Sequence, residues 1–385
     1  VNVPADLLER VRGTLAAQGS DPTPARVAAA LRADGGVFGD STVLAVVAAL
    51  RREALGAGPL DGLLSEPGIT DILVNGPNEV YVDRGSGLER VTLRTGDESA
   101  VRRLATRLAA AAGRRLDDAT PYVDVRLSDG TRFHAVLSPV AAPGTCLSLR
   151  VPARKVFDLD DLVAAGSLPP GGAAVLRDLL DARLAFLVSG GTGTGKTTLL
   201  NSLLSLIDGS ERLVLVEDAS ELRPDHPHVV RLEARPPNVE GSGEITLRDL
   251  VRQALRMRPD RLVVGEVRGA EVVDLLSALN TGHEGGCGTV HANTAADVPT
   301  RLEALGALAG LGREALHSQL SSALQAVIHL VRGPDGRRRV SEVRVVSRAA
   351  DGYAITLPAV RFGADGKVEL CDGASRFTKL LAGAA

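Results

Sequence analysis

Lys196 and Thr197 close the stretch GGTGTGKT (190–197), whose residue types suit an anion. Gly190, Gly191, Gly193 and Gly195, with Thr192 and Thr194 among them, let the backbone curl until successive N–H groups face one phosphate. The apolar run LAFLV precedes the stretch and TTLLNSLLSL follows it, so it stands between a strand and a helix, where the pattern GxxxxGK[ST] has to stand. In that setting the helix N-terminus adds partial positive charge. Lys196 reaches the β- and γ-phosphates of a nucleoside triphosphate, and Thr197, followed by Thr198, offers a hydroxyl to Mg²⁺. The chemistry expected is binding of ATP with Mg²⁺. A purely structural glycine turn is the bland alternative, and the strand–loop–helix setting speaks against it.

Carboxylates come from two further strand ends. RPDRLVVGEVRG (258–269) runs an apolar strand into Glu266, at the carboxyl end where parallel α/β sheets bind ligands. Gly265 stands where such strands usually carry an Asp, so Glu266 has to polarise the attacking water or hold Mg²⁺ through water. RLVLVEDASELR (212–223) likewise delivers Glu217, Asp218 and Glu221. These acids repel one another unless a cation or an arginine offsets them, and a bound Mg–nucleotide provides that offset. A helix cap at Asp218 or Ser220 is the competing reading.

GHEGGCGTVHAN (282–293) spaces His283, Cys287 and His291 as metal ligands on one helical face would be spaced. Gly282, Gly285, Gly286 and Gly288 make a continuous helix costly there, and a zinc site would want a fourth ligand, for which Glu284 is the local choice. CGTV (287–290) reads better as a core strand with His291 at or near its end and Cys287 as a small buried apolar residue.

Layers built almost without rings must position these groups. Hydrophobic residues make up 44% of the 385, aromatics 2%, and Trp is absent, so the interior rests on Leu, Val and Ala. The length suits two or three domains. Lys and Arg (44) nearly balance Asp and Glu (47), so the net charge of -3 gives no global case for nucleic-acid or membrane binding. Three dispersed cysteines, Cys146, Cys287 and Cys371, fit a reducing compartment. No apolar run approaches the length of a membrane span, and the cytoplasm is the expected location.

Residues 1–55 read as short amphipathic helices, for example STVLAVVAALRREAL at 41–55. Residues 56–150 read as an α+β domain, with hairpin turns at Asn-Gly and Asp-Gly and a helix near 97–113. VPARKVFDLDD (151–161) is the expected linker. From 162 to 385 apolar strands alternate with helices, the mark of a largely parallel sheet covered on both faces, before strands with Asp-Gly turns return after 338.

Taken together, GGTGTGKTTLLNSL, VEDASELRPDHPHVVRLEARPPNVEGSGEITLRDLVRQALRMRPDRLVVGEVRGAE and NTGHEGGCGTVHANTAAD resemble the ATPases of type II and type IV secretion machines. The closest similarity is to the branch that drives tight-adherence (Tad/Flp-type) pili. Weaker similarity, in VNGPNEVYV and GRRLDDATPYVDVRLSDGTRFHAV, extends back to about residue 70. The resemblance implies an α/β fold: a RecA-like P-loop C-terminal domain, a smaller α+β (PAS-like) N-terminal domain and an N-terminal helical segment.

It also implies a homohexameric ATP hydrolase, at the cytoplasmic face of the inner membrane, acting on polytopic platform proteins. Glu217, Asp218 and Glu221 match the family's aspartate box, and Glu266 its catalytic glutamate, for which a preceding Gly265 is normal. Thr197, Glu217 and Glu266 are the implied metal-side residues. His283 and His291 match the histidine box, expected near the phosphates, where they sense the γ-phosphate or bridge to an adjacent subunit. Arg132 (DGTRFHAV) and Arg150 (LSLRVP) match the arginines that the N-terminal domain sends onto the nucleotide. Arg114, Arg115, Arg126, Arg231, Arg235 and Arg268 are weaker candidates. Two other classes stand beside this motor: a nucleotide-gated switch with negligible turnover, and a conjugation motor acting on DNA or protein. Scarce aromatics and balanced charge offer little for tracking nucleic acid.

Overall fold

Apolar and polar side chains alternate in DILVN, VYVD, RFHAV and CLSLR, so each strand buries one face only. The structure, a computed structural model, describes residues 10–11, 14, 24–33, 42–43, 46–47 and 56–383 except 86, 128, 153–156, 238–240, 334 and 364. Two units separate between Arg154 and Lys155. Part of the stretch expected as linker, 153–156, lies outside the described residues.

In the first unit β1 (Asp71–Asn75), β2 (Val80–Asp83), β3 (Leu88–Val91), β4 (Tyr122–Arg126), β5 (Arg132–Val136) and β6 (Cys146–Arg150) form an antiparallel sheet in the order β3-β2-β1-β6-β5-β4. Helices α1 (Pro24–Ala33) and α2 (Asp61–Ser65) precede α3 (Glu98–Ala111), which begins where Asp97 accepts the Ala100 N–H at 2.8 Å. Val101, Leu104 and Leu108 of α3 pack on Ile72, Val82, Phe133 and Leu149. Because the side-chain period in a strand is two, the register that buries those residues sends their neighbours to the opposite face. Asp83, Asp71, Arg150, Arg132 and Arg126 thus stand in one row across β2, β1, β6, β5 and β4. Of the expected helix at 41–55, residues 42, 43, 46 and 47 are helical and the rest lie outside the described residues.

In the second unit α4 (Leu159–Ala164) and α5 (Pro170–Asp181) lead into a nine-stranded sheet, β15-β14-β13-β12-β7-β11-β10-β8-β9. Its strands are β7 (Phe186–Gly190), β8 (Leu213–Glu217), β9 (Val229–Glu233), β10 (Arg261–Val267), β11 (Cys287–His291), β12 (Ala326–Arg332), β13 (Arg338–Arg348), β14 (Ala354–Phe362) and β15 (Val368–Leu370). From β12 to β9 neighbours run parallel, and β13, β14 and β15 extend the sheet antiparallel.

Phe186 and Val188 of β7 point to one face, with α5, α6 (Lys196–Leu204) and α11 (Ala374–Ala382), while Leu187 points to the other. That second face is covered by α7 (Leu247–Ala254), α8 (Glu271–Leu279), α9 (Val298–Leu308) and α10 (Arg313–Ala323). This is the α/β architecture expected, with the apolar strands buried on both sides. Two strands escape the sequence pattern. β9 is a partly exposed edge, and β12 follows α10 after Leu324 and Gln325 with no glycine or proline to mark the change.

Candidate active site

Parallel order brings the carboxyl ends of β7, β11, β10 and β8 to one edge of the second unit, and the expected site residues collect there. Gly190 ends β7, and a Cβ on it would stand 2.6 Å from the Leu330 carbonyl of β12, so only glycine lets the chain turn away so close to its neighbour. Gly193 and Gly195 hold left-handed backbone, φ 71° and 95°, and Gly195 caps α6. Thr194 Oγ1 donates to the Gly191 carbonyl at 2.9 Å.

Lys196 Nζ donates to the carbonyls of Gly190 (3.1 Å) and Gly191 (2.9 Å) and lies 3.3 Å from His291 Nε2. Burial, helped by the Arg268 charge and opposed by Glu266, holds the lysine below its ordinary pKa. A triphosphate with Mg²⁺ fits this donor set: helix N-terminal amides, one lysine, the partly buried Thr197 on the first turn of α6, and a carboxylate on the strand next but one.

That carboxylate is Glu266. Its Oε1 lies 3.2 Å from His291 Nε2 and its Oε2 accepts from Arg268 at 2.5 Å. Burial alone would raise the carboxyl pKa, but the Arg268 hydrogen bond and charge, with His291 and Lys196, outweigh it and keep Glu266 ionised below the usual range. His291 Nε2 cannot serve both neighbours at once. Unprotonated it accepts from Lys196; protonated it donates to Glu266. Burial first, then the Lys196 charge, push the imidazole pKa down, towards the form that accepts from Lys196.

The acids of β8 are offset by arginine. Arg268 reaches Asp218 at 3.7 Å as well as Glu266, and Glu221 adds to the field that raises its pKa. Glu217 behaves differently. It is buried, and its Oε1 accepts the backbone N–H groups of Glu221 and Leu222, both at 2.9 Å, so it holds the acidic turn in shape. No helix begins between 218 and 228, so Asp218 and Ser220 cap none. Gly265 is explained by the same side chain: a Cβ there would stand 2.6 Å from Glu217 Cγ.

The histidine stretch divides. His291 ends β11 opposite Gly190, at the phosphate loop. His283 precedes the start of β11, where its Nδ1 donates to the Ala278 carbonyl at 3.2 Å, and the structure does not bring it to the loop of its own chain. The reason is the strand between them: Cys287 and His291 are separated by about 13 Å of extended chain. Cys287 is buried, its thiol pushed up to about 12, so it offers no thiolate to a metal near neutral pH. Arg132 and Arg150 are cross-strand partners in the first unit, with Arg126 beside Arg132. Arg114 and Arg115 lie just past the end of α3, while Arg231 on β9 donates to the Leu222 carbonyl and Arg235 to that of Gly243.

A family model described as "Type II/IV secretion system protein" matches residues 53–370. The chain belongs to this family. It is 60% identical over 319 residues, covering 81% of this chain and 91% of the other, to a Mycobacterium tuberculosis protein provisionally named for conjugal transfer. It is 31% identical over 280 residues, 71% of this chain and 83% of the other, to the conjugal transfer protein TrbB of Rhizobium radiobacter. The crystal structure of the pilus retraction motor PilT with bound ADP shares its fold, with a TM-score of 0.53 and 21% identity over 84% of each chain.

Several residues of this secretion-family site escaped the sequence reading. Arg268 ranked among the weaker arginines, although Glu266 and Arg268 at i, i+2 on a strand end share a side, which was the available signal. Glu271 Oε1 accepts the N–H groups of Arg268 (2.6 Å) and Gly269 (2.8 Å) and so fixes that turn. His329 of β12 is buried behind the loop, its Nδ1 2.8 Å from Ser189 Oγ and its ring also bonded to the Asn293 backbone.

Burial holds His329 below its ordinary pKa, against the pull of Glu342 and Asp297. The unfolded chain therefore takes up the proton first as pH falls through about 6.5, and stability is lost from there downward. Between pH 7.5 and 5.5 the wild type should lose more in melting temperature than His329→Gln. Equal losses in paired melts would refute this.

Proposed function

We propose that this chain is a Mg²⁺-dependent ATPase motor that works as a homohexameric ring. It would power assembly of a Tad/Flp-type pilus or a related secretion machine through polytopic platform proteins at the cytoplasmic face of the inner membrane. The observation that carries the reading is Glu266, ionised and held between Arg268 and His291, beside the lysine of a complete phosphate loop. Among the described residues no helix is long and apolar enough to cross a membrane.

In this reading the loop amides hold the α- and β-phosphates and Lys196 the β- and γ-phosphates, with Thr198 and the other loop residues packed around them. Mg²⁺, on Thr197 and through water on Glu266, would neutralise phosphate charge. Glu266 orients a water and takes its proton. His291 connects the lysine on the phosphate to that acid, which suits it to report the nucleotide state. Glu217, expected at the metal and in catalysis, we assign instead to holding the acidic turn. His283 is left the role of a link to a neighbouring subunit. Arg132 and Arg150, cross-strand partners with Asp71 on the far side of Arg150, we assign to contact with the nucleotide phosphates, as the family resemblance implies.

A second reading, DNA or protein transfer by a type IV machine, is favoured by the conjugal-transfer names of the two relatives. Phosphate release by the purified chain, measured with its mass under Mg–ATP, tests the first. Turnover above the Lys196→Ala control in a particle of six chains is expected. Turnover equal to that control would favour the nucleotide-gated switch, and salt-sensitive stimulation by DNA would favour transfer.

A further inference from the structure

Gly195 is the glycine next to the phosphate-loop lysine, and a side chain from elsewhere lies over it. A Cβ built on Gly195 would stand 3.6 Å from Arg338 Cδ and 3.9 Å from Leu330 Cδ2. Both neighbours belong to the β12–β13 hairpin: Leu330 pairs with Gly190 of β7, and Arg338 opens β13 opposite Arg332. The hairpin therefore packs against the loop, with the stem of Arg338 beside the cap of α6.

The hairpin is strongly basic, with Arg332, Arg337, Arg338 and Arg339 close in sequence. Two of these have local work. Arg339 pairs with Asp335, and Arg332 Nε donates to the Gly336 carbonyl at 3.1 Å. Arg338 is exposed, and no carboxylate among the described residues lies within ion-pair distance of it. A cation against the N-terminal end of a helix is repelled by the partial positive charge there. That placement is unfavourable for the protein alone and becomes favourable once an anion sits between the two. The rest of the loop is built for that anion.

We propose that Arg338 is a nucleotide-binding residue, contacting the diphosphate part of ADP or ATP held in the loop of its own chain. The proposal rests on the ATP-binding reading above. It names the diphosphate because loop amides at this position cradle the α- and β-phosphates, whereas Lys196 serves the β- and γ-phosphates. Arg338 therefore raises the affinity for product and substrate alike and takes no part in the hydrolytic step.

The experiment is a titration of the full chain with Mg²⁺ and N-methylanthraniloyl-labelled ADP or ATP. Wild type, Arg338→Ala, Arg337→Ala and Lys196→Ala are compared, with melting curves confirming that each is folded. Arg338→Ala is expected to weaken both nucleotides on the order of tenfold, the scale of one charge-assisted contact. Arg337→Ala should bind as the wild type does. Wild-type affinity for both nucleotides in Arg338→Ala would overturn the proposal and leave the ATP reading standing. A loss confined to ATP would move the contact to the γ-phosphate and overturn the diphosphate assignment. Failure of the wild type to bind more tightly than Lys196→Ala would overturn the reading and the proposal together.

Discussion

Glu266→Gln is expected to bind Mg–ATP about as well as the wild type and to release phosphate on the order of 10²–10³-fold more slowly, the scale of a lost general base. Glutamine keeps the length of the side chain and a carbonyl oxygen that can still accept from Arg268, so the hydrogen-bonded frame at 2.5 Å has no reason to collapse. What disappears is the negative charge that Arg268, His291 and Lys196 keep ionised. A group that orients water without taking its proton leaves the barrier high. Binding depends on the loop and on Lys196, which contacts loop carbonyls and His291 and makes no direct bond to Glu266. Nucleotide affinity and turnover should therefore separate in this variant. Phosphate release within threefold of wild type, in a variant that melts normally, would remove Glu266 from the chemistry.

The phosphate loop was legible because its demands are local: glycines for the turn, a lysine and a threonine, a strand before and a helix after. Glu266 was legible for the same reason, as an acid at the end of an apolar run. The partners of these groups were not, because they arrive through sheet order. β11 and β12 flank β7 although the chain reaches them roughly 100 or more residues later. That order alone sets His291 between Lys196 and Glu266, and brings Arg338 over Gly195. Likewise the neighbourhood of Arg126, Arg132 and Arg150 depends on register between strands, which a one-residue slip would undo. The equal spacing of His283, Cys287 and His291 suits a metal only on a helix, which the glycines among them already speak against in the sequence. The strand sets Cys287 and His291 at its two ends, and His283 lies in the turn before it.

Gly265 carries the second large expectation. Gly265→Asp supplies the acid that such strands often carry, yet it should destabilise the second unit and leave turnover below wild type. The side chain of Glu217 occupies the space: a Cβ at 265 would meet its Cγ at 2.6 Å and its Oε1 at 3.1 Å. Glu217 cannot easily yield, because its Oε1 holds the N–H groups of Glu221 and Leu222. The substitution adds overpacking and sets a second carboxylate against a buried one, together about 3 kcal/mol or more. For a unit of this size the melting temperature should fall by roughly 6–12 °C. Gly265→Ala should fall part of the way, since it brings the overlap without the charge. Adding Glu217→Ala to Gly265→Asp should recover some of the loss by clearing the overlap, at the cost of the turn. A melting temperature within about 1 °C of wild type for Gly265→Asp would mean that Glu217 moves freely. The glycine would then be no consequence of the packing between β8 and β10, and the acidic turn would need another support.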